Sequence, residues 1–385
     1  MDPNTPNRTG RYRPQPTGYA AFLPAPLPPS PPIRIDGEMQ ALLSKADRAL
    51  GRLDGSIQTL PNADLFVLMY VRKEAVLSSQ IEGTQSSIND VLEVEAKIYD
   101  SRHPKDVNEV LNYVRAMNHG VERLAELPVC TRLLREIHAV LMDGVRGKNL
   151  QPGEIRTTQN WIGPAGCTLN EATFVPPPPA ELADVLSKFE QFLNEESPDL
   201  PPLIKTGLAH AQFETIHPFL DGNGRIGRLL ITFLLCQREI LIRPVLYISH
   251  YFRKNQSDYY EMLQGTRDQG NWESWLKFFL EGVATVSNEA TETARRIVAL
   301  KEEHRALIVS EFGRAAGNGL KVLEELFEKP IVQVTDVGIL LNMTYQGANT
   351  LVQRFIDAGL LTEITGNARN RRFRYSPYVN LFAED

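Results

Sequence analysis

The stretch His217-Pro-Phe-Leu-Asp-Gly-Asn-Gly-Arg-Ile-Gly-Arg228 constrains this chain more than any other part of it. Pro218 lacks a backbone donor and disfavours a helical His217, so a helix arriving over Leu203–Ile216 has to stop there. Gly222 and Gly224 open backbone conformations closed to other residues. The apolar run from Ile226 predicts a second helix, through Glu239. A glycine-rich turn before a helix leaves N–H groups free at the helix N-terminus, which is how proteins cradle phosphate. Arg225 and Arg228 fall on one face of the first turn. Cations there oppose the helix dipole and ask for an anionic partner. A polyphosphate suits two arginines and a nest of amides. Asp221 supplies the hard oxygen that Mg²⁺ prefers, and His217 can act as a base near neutral pH. Each residue alone is as compatible with capping or packing. All of them in one register point to chemistry.

Composition narrows the classes. A chain of 385 residues predicts two or three domains. The net charge of −6 gives no global basic field to recruit nucleic acid or an anionic membrane. The apolar run Leu229–Cys236 is far too short to span a bilayer. No secretory signal is read at the start. The 3 cysteines, Cys130, Cys167 and Cys236, are odd in number and widely spaced, which argues against a disulfide framework or a CxxC pair. The expectation is a cytoplasmic, multidomain protein with no membrane partner.

Proline marks the first segment. Ten of the 26 prolines precede Ile33, and residues 1–35 read as an extended, polyproline-like arm without helical or strand periodicity, lying as a tail or strap on the body. Residues 36–104 read as helical, with Asn62 as the N-cap of Ala63–Ile81, Gly83 as its C-cap, and Ser86 or Ser87 opening the next helix. Residues 105–290 form the expected core. Within it, Thr157–Gly163 and Ala172–Val175 flank a Gly-Pro-Ala-Gly turn, which predicts a β-hairpin inserted in a helical body. Residues 291–316 read as a helical connector. Residues 317–385 read as three helices followed by two short strands, the order of a winged helix. The fold class is mainly α.

The segment 217–228 resembles the Fic motif, HxFx(D/E)GNGRxxR, and matches it at every defined position; it does not look like the Doc variant. The resemblance extends to Ile137–Gly147 and Pro152–Thr157, which look like the opening of a Fic core, and to the hairpin at Thr158–Val175, which looks like the family's flap. It implies a protein adenylyltransferase that moves AMP from ATP onto a Tyr, Thr or Ser hydroxyl of a target protein docked on the flap, with self-modification expected. His217 would be the base and Asp221 would hold Mg²⁺. Gly222, Asn223 and Gly224 would bind the phosphates, with Arg225 and Arg228 toward the β- and γ-phosphates. Positioning and charge neutralisation are what phosphoryl-type transfer needs most. Strand addition at a flap would hold a peptide by its main chain. Tyr251–Gln256, with Asn255, and Tyr259-Tyr260 resemble the stretch that closes the adenine pocket; the same aromatics also suit a core.

Ser78-Ser-Gln-Ile-Glu-Gly83 resembles the Fic inhibitory motif, (S/T)xxxE(G/N), with Ser78, Glu82 and Gly83 matching. The resemblance implies a self-inhibited enzyme in which Glu82 pairs with Arg228 and takes the partner of the γ-phosphate. Two alternatives stay open. The same site would run backwards, removing AMP, or use another nucleotide donor; or the chain is a DNA-binding regulator whose Fic core senses nucleotide. Arg369, Arg371, Arg372 and Arg374 lie on the wing, but Glu324, Glu325 and Glu328 surround that unit with acid. Protein docking or a homodimer is the expected use, and a nucleic-acid partner is disfavoured.

Overall fold

In the computed structural model, residues 8–58, 60, 63–96, 104, 106–144, 151–164, 166–196, 199–367 and 369–383 are described. The arm departs from expectation. Strand β1 (Gly10–Pro14) pairs antiparallel with β2 (Ala20–Pro24), in register from Gly10 opposite Pro24 to Pro14 opposite Ala20. The turn is closed by the Gly18 N–H on the Gln15 carbonyl and the Gln15 N–H on the Tyr19 carbonyl. Alternation does not reveal this hairpin, because what orders it is the body: Ala21 and Phe22 are fully buried, and the Phe22 N–H donates to the Val175 carbonyl at 2.9 Å.

Three helices follow: α1 (Gly37–Gln58), α2 (Ala63–Ile81) and α3 (Ile88–Glu95). Ser87 caps α3 in a reciprocal capping box with Asp90. Asn62, expected to cap α2, lies outside the described residues. Next come α4 (Val107–Arg123), α5 (Thr131–Leu141), α6 (Leu182–Asn194), α7 (Pro202–Ile216) and α8 (Asn223–Gln237). Then α9 (Ser249–Lys254), α10 (Gln256–Gln269) and α11 (Trp272–Glu311) complete the body. Every residue of α7 from Leu203 to Ile216 is buried, and α8 is nearly as enclosed; helices apolar on all sides belong at a centre. Around them α2 packs on α4 and α9, and α1 lies along α11. Helix α11 is continuous across residue 290, where the sequence reading sets a boundary between core and connector.

The expected β-hairpin between α5 and α6 reduces, among the described residues, to one antiparallel bridge, Ile162 with Phe174. Past it the Thr168–Glu171 capping box winds Leu169–Glu171 into a single 3₁₀ turn. That turn and Pro164 take the residues a ladder would need. The C-terminal unit runs α12 (Ala316–Glu328), β3 (Ile331–Val332), α13 (Val334–Leu341), α14 (Tyr345–Asp357), β4 (Thr362–Glu363), β5 (Phe373–Arg374) and α15 (Ser376–Ala383). Its sheet has the order β3-β5-β4. Two of its arginines are engaged within the molecule: Arg371 donates to Asn349 at 3.0 Å, and Arg374 donates to Asn89 of α3 at 3.1 Å. Among the described residues, no helix is long and apolar enough to cross a membrane.

Candidate active site

Helix α7 ends at the proline. Its C-cap, His217, sits in the left-handed region at φ 49°, which a non-glycine residue holds only when its neighbours over-determine it. Here the His217 N–H donates to the Phe213 carbonyl at 2.9 Å. Its carbonyl accepts from Arg156 Nε at 2.9 Å and Asn160 Nδ2 at 3.2 Å. Nδ1 faces the Glu214 carbonyl at 3.3 Å, so the proton belongs there and Nε2 keeps its lone pair. Burial first, then the cations Arg267 and Arg156, lower the imidazole to about 3, so His217 is neutral at physiological pH. Its side chain keeps 17% exposure.

The loop is braced from below. The Gly153 N–H donates to His138 Nδ1 at 2.8 Å, which leaves Nε2–H to donate to the Asp221 carbonyl at 3.0 Å. The His138 ring lies flat on Phe219, centroids 3.9 Å apart. Gly222 has φ 76°, and a side chain there would also press on Met142 Sδ. Asn223 closes the turn with its own amide, accepting from the Phe219 N–H at 2.9 Å and donating to the Phe219 carbonyl at 2.8 Å. Helix α8 therefore starts at Asn223, earlier than the expected Ile226, and Gly224 lies in its first turn. The first-turn N–H groups have no partner inside the helix.

Arg228, one turn further on, is 1% exposed. Its Nε donates to Ser78 Oγ at 2.8 Å, and Nη2 donates to the Ser78 carbonyl at 3.0 Å and to Glu82 Oε1 at 2.6 Å. Glu82 follows the last residue of α2 and is 37% exposed on its side chain. Burial works to raise its carboxyl, but Arg228 outweighs this, with help from Arg225 and His217, and holds it below the ordinary carboxylate range. The carboxylate lies across the loop: a Cβ on Gly224 would overlap Glu82 Oε1.

Two family models match this chain, the Fic/DOC family N-terminal region over residues 40–122 and the Fic/DOC family over residues 128–235. The chain belongs to the Fic family. The protein adenylyltransferase Fic of Drosophila grimshawi is 30% identical over 206 residues, which are 52% of this chain and 39% of that protein. That of Drosophila persimilis is 29% identical over 253 residues, 63% of this chain and 44% of that protein. These matches thus span less than half of either relative. A Fic family protein from Desulfovibrio desulfuricans superposes with a TM-score of 0.59 at 20% identity, covering 89% of this chain and 97% of that one. A Fic domain containing signaling protein from Bacteroides thetaiotaomicron gives 0.51 at 19% identity, over 67% and 95%.

In this Fic protein the residues singled out from sequence do not all gather. His217, Asp221, Gly222, Asn223 and Gly224 form the loop, with Arg228 and Glu82 beside it. Arg225 pairs with Glu109 of α4 at 3.1 Å and lies 3.7 Å from Met142 Sδ, while its Nη2 stays 3.9 Å from Asp221 Oδ1 of the loop. Asn255 joins α9 to α10, and its side-chain amide donates to the Tyr251 carbonyl at 2.9 Å. Its neighbour Gln256 reaches the end of α2 instead, donating to the Ile81 carbonyl at 3.2 Å. Phe252 and Tyr259 stack in a buried cluster with Trp275, while Tyr260 is exposed. Sequence reasoning passed over Arg156, His138 and Glu214. Glu214 precedes His217 by one helical turn and was legible by spacing. Arg156 carries no local signal, since it lies 61 positions from the carbonyl it holds.

Asp221 fits a divalent cation. Its side chain is 45% exposed and its Oδ1 accepts from the Gly222 N–H at 2.6 Å, so an oxygen face is open to solvent. Among the described residues no cluster of three or more His, Cys, Asp or Glu is placed for a metal. One carboxylate completed by substrate phosphates and water is the usual setting for Mg²⁺.

Proposed function

We propose that this chain transfers AMP from ATP to a hydroxyl side chain of a target protein, and that Glu82 holds the reaction off. The observation carrying this reading is the 2.6 Å ion pair between Glu82 and Arg228, set against the glycine loop that His217 opens. The names of the Drosophila relatives support the same reaction class.

In this reading His217 Nε2 takes the proton of the target hydroxyl. The hydroxyl oxygen bonds to the α-phosphorus, and the bond from that phosphorus to the β-phosphate bridge breaks. Pyrophosphate leaves with the electron pair. Neutral His217 suits a general base. The first-turn N–H groups of α8 and the guanidinium of Arg228 suit the phosphates. Asp221 would hold Mg²⁺, which when bound neutralises phosphate charge. The target would lie along the edge of the 157–176 segment, where main-chain bonds hold a peptide in extended form.

Labelled ATP tests the reaction class. With purified protein and lysate, label at the α-phosphorus should enter protein and label at the γ-phosphorus should not. His217→Ala should remove incorporation, typically by ~10²–10⁴-fold, and leave nucleotide binding in place. Incorporation from the γ-position alone would mean a kinase and end this reading.

A further inference from the structure

Glu214 is the buried acid that the proposed reaction leaves without a task. It lies on α7, one turn before His217, and its side chain is 7% exposed. Its Oε2 stands 4.0 Å from His217 Nδ1. Among the described residues, no donor reaches its Oε1. The carboxyl occupies a notch left by Gly227 of α8: a Cβ there would overlap Glu214 Oε1. A buried carboxyl oxygen with no donor costs free energy unless a proton or a neighbouring charge compensates it.

The groups facing it are mixed in charge. Arg228 faces it from α8, Glu82 from the end of α2, Arg267 from α10 and His217 from its own helix. Tyr259 and Tyr260 of α10 also feel its charge. Arg267 is tied to this turn, donating to the Glu214 carbonyl at 3.2 Å and to Thr215 Oγ1 at 3.3 Å. Burial pushes the Glu214 carboxyl up; Arg228 pulls against it, Glu82 adds to the rise, and the result is about 7.

We propose that Glu214 is a positioning residue for His217, whose carboxylate stabilises the imidazolium formed when His217 accepts the target's proton. The inference rests on the AMP-transfer reading. Burial, aided by Arg267 and Arg156, holds free His217 neutral, so a proton arriving at Nε2 meets an unfavourable environment. Glu214 is the nearest anion on the Nδ1 side. The proton moves from the target oxygen to Nε2 and stays there, while Glu214 changes nothing covalently. The ionised form of Glu214 is the active one, so transfer should rise with pH as that carboxyl loses its proton.

The test uses the full chain carrying Glu82→Gly, with and without Glu214→Gln. AMP incorporation at saturating ATP is followed from pH 5.5 to 8.5, roughly the span over which a carboxyl at about 7 titrates. The parent should show a rising limb, centred below pH 7 because the Glu82 charge that adds to the rise is gone. Glu214→Gln should lose that limb and fall ~10–100-fold in kcat, a part of what a general base supplies, with KM for ATP within about twofold. Glu214→Asp should recover the limb. A second readout needs no turnover: in ¹⁵N-histidine-labelled full chain, the His217 nitrogen shifts should inflect near pH 7, and Glu214→Gln should flatten them. An unchanged limb and rate in Glu214→Gln, or a flat His217 profile in the unsubstituted chain, overturns the proposal. If the Glu82→Gly parent transfers no AMP at any pH, the reaction assignment has failed, and the nitrogen inflection alone decides whether Glu214 and His217 are coupled.

Discussion

At the residue scale, one guanidinium carries the proposed switch. Arg228 spends Nε and Nη2 on Ser78 and Glu82, and a γ-phosphate would have to compete with Glu82 for the same cation. Glu82→Gly removes the competitor and leaves the Ser78 bonds in place. Auto-modification, measured as AMP incorporated per minute at fixed ATP, should rise at least roughly tenfold, which takes only about 1.4 kcal/mol of barrier. Arg228→Ala in the same background should cancel the gain, because the released cation is then missing. Equal rates for the unsubstituted chain and Glu82→Gly would falsify inhibition by this carboxylate. A fall in rate would mean that Glu82 takes part in the chemistry, as an orienter of water for AMP removal would.

At the scale of the element, α2 is a beam of the core, and Glu82 hangs from its end. Glu74 shows why the helix stays in place. It is buried, and it accepts from the Ser249 N–H at 3.1 Å, from Ser249 Oγ, and from the Tyr113 hydroxyl at 3.1 Å. Those bonds tie α2 to α9 and α4. Burial nevertheless prevails and raises the Glu74 carboxyl to about 7. The sign follows from linkage. Below the ordinary carboxylate range both folded and unfolded states hold the proton, and Glu74 costs nothing. Between about 4.5 and 7 the unfolded chain releases its proton and the folded chain keeps it, so stability falls as pH rises. Above about 7 the loss is complete, on the order of 3 kcal/mol. Glu74→Gln has no proton to lose. In denaturant titrations its stability relative to the unsubstituted chain should therefore climb from pH 5 to pH 7 and level off above. Parallel pH profiles for the two chains would sink this account.

At the scale of the whole molecule, the N-terminal arm is stitched across the helical body. Arg8 pairs with Glu273 of α11, Tyr12 donates to Asp268 of α10 at 2.8 Å, and Arg13 pairs with Glu181 at 2.7 Å. Phe22 packs on Phe174, ring centroids 5.9 Å apart, and Phe174 in turn carries the Arg267 guanidinium at 4.0 Å. The arm thus backs the only bridge described in the 157–176 segment. Removing residues 1–33 exposes that bridge and gives up the burial of Phe22, worth about 1.5–3 kcal/mol by itself. Unfolding free energy should drop by at least ~2 kcal/mol, and the Ile162 and Phe174 amides should exchange with deuterium at least ~10-fold faster. Unchanged exchange at those two amides would show that the segment stands without the arm.

The sequence by itself determined the loop and the helices around it. Pro218, Gly222 and Gly224 act through backbone sterics, which need no distant partner, so the stop of α7 and the turn before α8 were legible. The helices α1, α2, α7 and α8 were legible as well, from apolar residues and end signals carried within each segment. The motif at Ser78–Gly83 was visible too, and with it the expectation that Glu82 meets Arg228. Tertiary structure decided the rest. It brought Glu82 to Arg228 across 146 positions, and it paired Arg225 with Glu109 across 116, although both arginines leave one helical turn. It made strands of a proline-rich arm by giving Phe22 a place to bury, and among the described residues it left a single bridge where a hairpin was expected. It set the protonation of His217 and Glu214 by burying each beside charges from other helices. Helical turns and glycine bends are written in neighbouring residues. Which guanidinium meets which carboxylate, and how much water reaches either, depends on helices that touch only once the chain has folded.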